Sequence, residues 1–577
     1  MVLKGNPVSP GAALGHVHVY RSFSPEASES FIEKNAAGSE KKRYEETREK
    51  AAAEIQDICN SLKNDDPKKT NIFSAHLDIL NDPAAYEEIT ERIETGLCAG
   101  DWAIWNIYTK YINMLLKTED AVIRERYVDF EDVRNRILRI WHGFPESNLS
   151  SLTAPVIVAA KDLLPSDTAT IDRRNVLAII TETGGSTSHS AIIARSYGIP
   201  AILGIPNLLD KIKHGAFAAV DAFTGEVFTE PDNETITLLS AKRERSLKEA
   251  AETKTFQKIE PITADGYRME IGLNIGSAND EELAGAEYTD FAGLFRTEFL
   301  FMGRSTLPCE EEQFAAYRKV LEIFGKKPVY LRTLDIGGDK TLSCLELPKE
   351  DNPFLGKRAL RLCFGNPGIF KTQLRAALRA SVFGNLHLML PMVGSIDDIR
   401  HAKAIIEEAR AELEAEGARN NWEYKLGIMI EVPSIALIAD IAAAEIDFAS
   451  IGTNDLCQYL CAADRMNPEV SGYYQSFHPA MFRLIGETAA HFNRAGKPLS
   501  VCGEMGGNPL AAAVLTGLGI RKLSMGPASI APVKRMLSHL SVKNAEEIAD
   551  KVKGFCTAAE VENYLEREPL LKLPEIH

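Results

Sequence analysis

The chain has 577 residues, 45% of them hydrophobic and 25% charged, long enough for about three domains with a core in each. A formal net charge of −16 argues against nucleic acid and anionic membrane as general partners. No apolar run reaches transmembrane length and Met1-Val-Leu-Lys-Gly-Asn-Pro7 is not a signal peptide, so no membrane insertion and a cytoplasmic location are expected. The nine cysteines are scattered and lack C-x-x-C spacing, which suggests neither a disulfide framework nor a zinc site.

In chain order, residues 1–20 read as a short hairpin, with Ser9-Pro-Gly11 as the turn and Leu14, Val17 and Val19 as strand residues. The period then becomes helical. Tyr44, Ala51, Ile55, Ile58 and Leu62 share one face between about Ser39 and Lys63, and the pattern returns from Trp102 to Leu116 and from Tyr127 to Trp141. Residues 21–145 are therefore expected to form a helical subdomain, either scaffold or docking surface. Short strands follow at Val156–Ala160, Val176–Ile180, Ala201–Leu203, Phe217–Asp221 and Glu226–Phe228, the last two joined by a turn at Phe223-Thr-Gly225. Residues 1–20 and 146–230 then make one α/β domain into which the helices are inserted. Residues 231–260 are charge-rich, with Leu238, Leu239, Leu247 and Ala250 unevenly spaced, and read as a connecting helix or solvated linker. Residues 261–577 alternate strands and helices. Eight candidate strands, Met269–Ile275, Gly293–Phe295, Val329–Thr333, Leu386–Leu390, Leu426–Ile430, Asp447–Ile451, Leu499–Val501 and Lys522–Met525, predict a (β/α)₈ (TIM) barrel. The fold class is a multidomain α/β chain.

Two places carry chemistry. In Thr183-Gly-Gly-Ser-Thr-Ser-His189-Ser-Ala-Ile-Ile-Ala-Arg195 a strand enters, two glycines turn, and a helix leaves with a histidine at its start. Glycines allow backbone to approach an anion, the helix start offers N–H groups, and Ser186, Thr187 and Ser188 add hydroxyls, so the loop is suited to a phosphoryl group with His189 as nucleophile. By itself this is also the form of an ordinary βα loop. The second place is the set of barrel strand ends, where such folds keep their chemistry. Arg296, Arg332, Asp335, Glu431, Asn454, Asp455 and Cys502 all stand just at or past a predicted strand. Glu431 and Asp455 are 24 residues apart, one βα repeat, a carboxylate pair suited to Mg²⁺. Arg296, Arg332, Arg358 and Arg465 can fork onto phosphate and carboxylate oxygens, with Lys340 and Asn454 as further donors. The implied substrate is small and multiply anionic. Cys502 is either a packed thiol or a general acid or base.

On these residues the chain resembles enzyme I of the bacterial phosphoenolpyruvate:sugar phosphotransferase system over essentially its whole length. The resemblance is carried by Ser9-Pro-Gly11, Asp162-Leu-Leu-Pro-Ser-Asp-Thr168, Gly184-Gly-Ser-Thr-Ser-His189, Arg296-Thr-Glu-Phe-Leu-Phe-Met302, Asp335-Ile-Gly-Gly-Asp-Lys340, Asn352-Pro-Phe-Leu-Gly356, Gly452-Thr-Asn-Asp455 and Cys502-Gly-Glu504. It implies a Mg²⁺-dependent relay. Phosphoenolpyruvate binds in the barrel with the metal on Glu431 and Asp455, its phosphate on Arg296 and Arg332, and its carboxylate near Arg358, Arg465 and Asn454. His189 takes the phosphoryl group, Cys502 protonates the departing enolate to give pyruvate, and the histidine phosphocarrier protein HPr docks on the helical subdomain to receive the group. Thr168 supports the histidine ring, the α/β domain swivels on the connecting helix, and the barrel pairs into a homodimer.

Several positions depart from that pattern. Many relatives have Arg and Thr where this chain has Ser186 and Ser190; loss of the guanidinium bears on phosphohistidine stability or transfer rate. Lys357 and Cys457 also differ. The alternatives are a pyruvate phosphate dikinase or phosphoenolpyruvate synthase-like enzyme, and a non-catalytic regulatory binding module. The first requires an ATP-binding domain for which the 145 residues ahead of the α/β domain show no phosphate-cradling glycine loop, and the second has no use for the site set.

Overall fold

A computed structural model describes residues 1–573 except 22, 24–26, 63–66, 119–125, 145–148, 150, 151, 153, 165, 166, 168–170, 172, 173, 186, 187, 303, 305, 338–344, 346–349 and 418–421. The side chains of 61, 62, 67–72, 189, 192, 196, 281 and 468 are likewise outside the description. The chain divides into two units, Met1–Lys248 and Glu249–His577, the division falling inside the helix Asn233–Thr255.

The first unit is built on an eight-stranded mixed sheet. Its strands are β1 (Val2–Lys4), β2 (Asn6–Ser9), β3 (Ala12–Val19), β4 (Val156–Ala160), β5 (Val176–Thr181), β6 (Ala201–Leu203), β7 (Phe217–Asp221) and β8 (Glu226–Thr229). Their order is β1-β8-β7-β3-β4-β5-β6-β2, with β3 to β6 mutually parallel. The expected hairpin over residues 1–20 is not formed. β2 is the edge strand and pairs with β6, Asn6 opposite Leu203 and Pro7 opposite Ile202, while β3 lies between β4 and β7. Pro7 has no N–H to give a second neighbour, so an edge suits it. Alternation of apolar residues specifies a strand but not its partner, and Ser9-Pro-Gly11 carries the chain across the sheet rather than around a turn. The turn at Phe223-Thr-Gly225 does join an antiparallel pair, β7 and β8, with Asp221 opposite Glu226.

Between β3 and β4 the described helices are Ala37–Leu62, Pro67–Leu80, Pro83–Glu94, Gly100–Leu116 and Tyr127–Trp141. They share a core that includes Tyr44, Ile55, Phe73, Ile89, Ile104, Tyr108 and Ile137. Two of these helices, Pro67–Leu80 and Pro83–Glu94, are not among those that the apolar periodicity predicts. The second has a readable start, since Asp82 caps the N–H groups of Ala84 and Ala85 and Pro83 occupies the first turn.

The second unit is a closed parallel barrel of β9 (Glu270–Ile275), β10 (Phe291–Arg296), β11 (Pro328–Arg332), β12 (Asn385–Leu390), β13 (Lys425–Ile430), β14 (Phe448–Ile451), β15 (Leu499–Val501) and β16 (Lys522–Met525). These are the eight strands expected, within two residues at each end. Both faces of each strand are covered, so they read as continuous apolar runs. Phe291, Leu294, Tyr330, Met389, Met429, Phe448 and Cys502 form a buried cluster separate from the large core of strand and helix residues. Tyr330 and Phe448 pack with their rings tilted at 39° and centroids 4.4 Å apart, filling the interior below a depression at the C-terminal end of the strands.

Candidate active site

That depression is a cavity of about 440 Å³ whose lining includes Arg296, Arg332, Arg358, Glu431, Asn454, Asp455, Arg465 and Cys502. Topology brings them together. Arg296 and Arg332 end the adjacent strands β10 and β11 and are register partners, Glu431 follows β13, and Asp455 lies in the first turn of Thr453–Leu460 after the neighbouring β14. Gly452 allows the approach: a Cβ there would come within 2.7 Å of Glu431 Oε2. Lys340 lies outside the described residues.

Carboxylates fix the arginines. Arg332, 6% exposed, donates through Nη2 to Glu298 Oε1 at 2.6 Å and pairs through Nη1 with Asp335 Oδ2 at 3.0 Å. The other oxygen of Asp335 accepts from Arg358 Nη2 at 2.8 Å, and Tyr459 Oη lies 3.2 Å from Arg358 Nη1. Burial opposes the charge on both arginines, but Glu298 and Asp335 beside Arg332, and Asp335 and Asp455 beside Arg358, outweigh it and hold both firmly cationic. Arg465 stands 3.4 Å from Asp455 Oδ1. Asn454 Oδ1 accepts from the Glu504 N–H at 3.1 Å, which orients the amide. Asp335 and Glu298 stood in the sequence motifs without a role; no local signal reveals a pairing formed across strands. Breaking a buried ion pair leaves its partner uncompensated. Asp335→Asn is therefore expected to destabilise the barrel unit by about 3 kcal/mol, measured as a shift of its thermal transition, with no comparable shift for Glu504→Gln on the exposed rim.

Two oxygens are left for a cation. Glu431 is fully buried; its Oε1 accepts the Met392 N–H at 2.6 Å, while Oε2 accepts nothing among the described residues. Asp455 Oδ1 likewise accepts no hydrogen bond, with Arg465 and Arg358 at 3.4 and 3.7 Å. Burial, then the charges of Asp455 and Asp335, push the Glu431 carboxyl well above the usual carboxylate range. A hard divalent cation relieves that repulsion and fills the vacant lone pairs, so the donor set fits one. Among the described residues no group of three His, Cys, Asp or Glu could hold a metal, which leaves the remaining positions to substrate or water.

Cys502 directly follows β15, 3% exposed, with Sγ 3.6 Å from the Ile451 carbonyl. Burial raises its pKa to about 11, against the lowering effects of Ser450, Arg332 and Arg296. It is a thiol, not a thiolate, at neutral pH.

In the first unit, His189 opens the helix His189–Tyr197, capped by Ser188, whose hydroxyl accepts the Ala191 N–H at 3.3 Å. Gly184 enters the loop with φ +103°, a conformation that favours glycine. Thr183 Oγ1 donates to Asp162 Oδ2 at 2.9 Å, and Ser190 Oγ lies 3.4 Å from both Asp162 Oδ1 and the Leu163 carbonyl, joining this loop to the Asp162 segment. The side chain of His189, and residues Ser186 and Thr168, lie outside the description.

Family models match the chain in three consecutive parts. They are "PEP-utilising enzyme, N-terminal" over residues 4–126, "PEP-utilising enzyme, mobile domain" over 152–225 and "PEP-utilising enzyme, PEP-binding domain" over 250–542. The class that fold and matches define is that of the phosphoenolpyruvate-utilising enzymes. Curated relatives named phosphoenolpyruvate-protein phosphotransferase align along nearly the whole length. Those of Bacillus sp. (strain S) and Geobacillus stearothermophilus are each 41% identical over 560 residues, 96% of this chain and 97% of theirs. That of Bacillus subtilis (strain 168) is 40% identical over 562 residues, 97% of this chain and 98% of its own. The chain belongs to the phosphoenolpyruvate-protein phosphotransferase family of transferases.

Proposed function

We propose that this chain moves the phosphoryl group of phosphoenolpyruvate first to its own His189 and then to the histidine of HPr, releasing pyruvate. The observation that carries the reading is the convergence of four arginines, two partly unsatisfied carboxylates and a protonated thiol on one barrel cavity, in a member of this family. Arg296 and Arg332 bind the phosphate oxygens, and Arg358, Arg465, Asn454 and Lys340 orient the carboxylate end. Glu431 and Asp455 hold Mg²⁺, which when bound neutralises charge developing on the phosphate and enolate oxygens. The neutral imidazole of His189 attacks phosphorus in line, most simply through Nε2; the P–N bond forms as the P–O bond to the enol oxygen breaks. Cys502 Sγ gives its proton to the methylene carbon of the enolate, pyruvate leaves, and solvent returns a proton to the thiolate. Thr168 supports the histidine ring. HPr docks on the inserted helices, the barrel forms a homodimer, and the enzyme works in the cytoplasm. No helix among the described residues is long and apolar enough to cross a membrane.

The test is transfer of label from ³²P-phosphoenolpyruvate to HPr with stoichiometric pyruvate. Label on HPr is expected only when the chain and Mg²⁺ are both present. Chelation should reduce transfer at least a hundredfold, with recovery on adding Mg²⁺ back. Transfer that ignores chelation, or that requires ATP, overturns the reading.

A further inference from the structure

A second cavity, of about 300 Å³, opens at the opposite end of the barrel. It is bounded by segments that precede strands β9, β10 and β11, so it lies at the N-terminal face, away from the substrate site. Four cationic side chains line it: Lys258, Arg268, Lys327 and Lys534.

The inner two are unusual. Lys534 is only 4% exposed and donates to the carbonyls of Gln257 at 2.9 Å and Tyr288 at 2.8 Å. Lys327 donates to the carbonyls of Ala286 and Thr289, both at 2.7 Å. Two ammonium groups thus converge on the single turn 286–289. Among the described residues neither has a carboxylate within ion-pair distance, and each uses two of its three donors. Asp290 is already engaged elsewhere and acts on Lys534 only at a distance: its Oδ1 accepts from Arg268 at 2.6 Å and its Oδ2 accepts the Ile271 N–H at 2.8 Å. Glu260 and Glu287 also line the cavity, but both are exposed and therefore screened by solvent. Burial, together with Arg268 and Lys327, holds the Lys534 pKa below its ordinary value against the pull of Asp290 and Glu260. Lys327 is half-buried and Lys534 buried; a buried charge with no carboxylate at ion-pair distance is expensive, and an occupant that supplied a counter-charge would recover that cost.

We infer that this cavity is an anion site for a compact phosphate group, carried as inorganic phosphate or as a small phosphate monoester, held by the free donors of Lys327 and Lys534 with Lys258 at the mouth. Its volume is at the lower limit of small-molecule pockets, which excludes larger anions. Lys534 also carries the carbonyl of Gln257, just beyond the connecting helix, so occupancy acts on the point where the linker is fastened to the barrel.

The test is calorimetric titration of the full chain, at low ionic strength, with inorganic phosphate and separately with glycerol 3-phosphate. Three proteins are compared: wild type, Lys327→Met and the charge reversal Lys258→Glu. Lys258 is exposed, so its variant keeps the fold, and a retained KM for phosphoenolpyruvate shows that the substrate site is intact. Wild type is expected to bind one more phosphate group per chain than either variant, or to bind it at least tenfold more tightly. An extra site seen with both probes, or with inorganic phosphate alone, assigns the bare group; one seen only with glycerol 3-phosphate assigns the monoester. Identical isotherms for wild type and both variants, with both probes, overturn the inference.

Discussion

Replacement of His189 by Ala is expected to abolish phosphorylation of the chain by phosphoenolpyruvate altogether, while leaving phosphoenolpyruvate binding within about twofold of wild type. The two halves of this result separate because the proposed donor site and the proposed acceptor stand in different units of the chain. In the proposed mechanism the barrel supplies positioning and charge neutralisation, and the first unit supplies only the nucleophile. Residue 189 begins its helix, where backbone N–H groups lack intrahelical partners and the dipole favours negative charge, an arrangement that stabilises a phosphoryl group on that residue. Wild type should carry one acid-labile, alkali-stable phosphoryl group per chain, located by mass spectrometry of the peptide containing residue 189. Equal labelling of His189→Ala would show that the acceptor lies elsewhere.

The second large effect is expected at Cys502. Cys502→Ala should slow pyruvate formation by about 10²- to 10⁴-fold, the usual contribution of a positioned general acid, with little change in substrate affinity. Its pH dependence has a definite sign. The pKa is raised, to about 11, so the proton-donating form persists across the neutral range and is lost only as pH climbs towards that value. Turnover in wild type should therefore show no decline attributable to this thiol below about pH 9. Pyruvate release measured by coupled assay over that range checks both statements. A full-rate alanine variant would remove Cys502 from the mechanism.

Much of the fold was legible because its elements repeat a strong local signal. The barrel strands are apolar runs bounded by polar breaks, and Glu431 with Asp455 could be paired from one βα repeat. The N-terminal strands were legible as strands, but their pairing was misread, since β2 finds its partner near residue 202 and β3 is claimed by β4 and β7. The helix Pro83–Glu94 went unread although Asp82-Pro83 announces it. Its buried positions, Ala85, Ile89, Thr90 and Ile93, make a narrow stripe that a short window blurs.

By itself the sequence determined residue types at strand ends: arginines for an anion, carboxylates for a hard cation, a histidine opening a helix after glycines. Those choices are local chemistry and survive without coordinates. Only the tertiary structure decided how the charges balance. Asp335 bridges Arg332 to Arg358, Glu298 holds Arg332 from another strand end, and Lys327 and Lys534 meet at one turn though 207 residues apart. Such pairings arise from barrel closure, which brings distant strand ends within a few ångströms, and Coulomb energy depends on that distance rather than on separation along the chain.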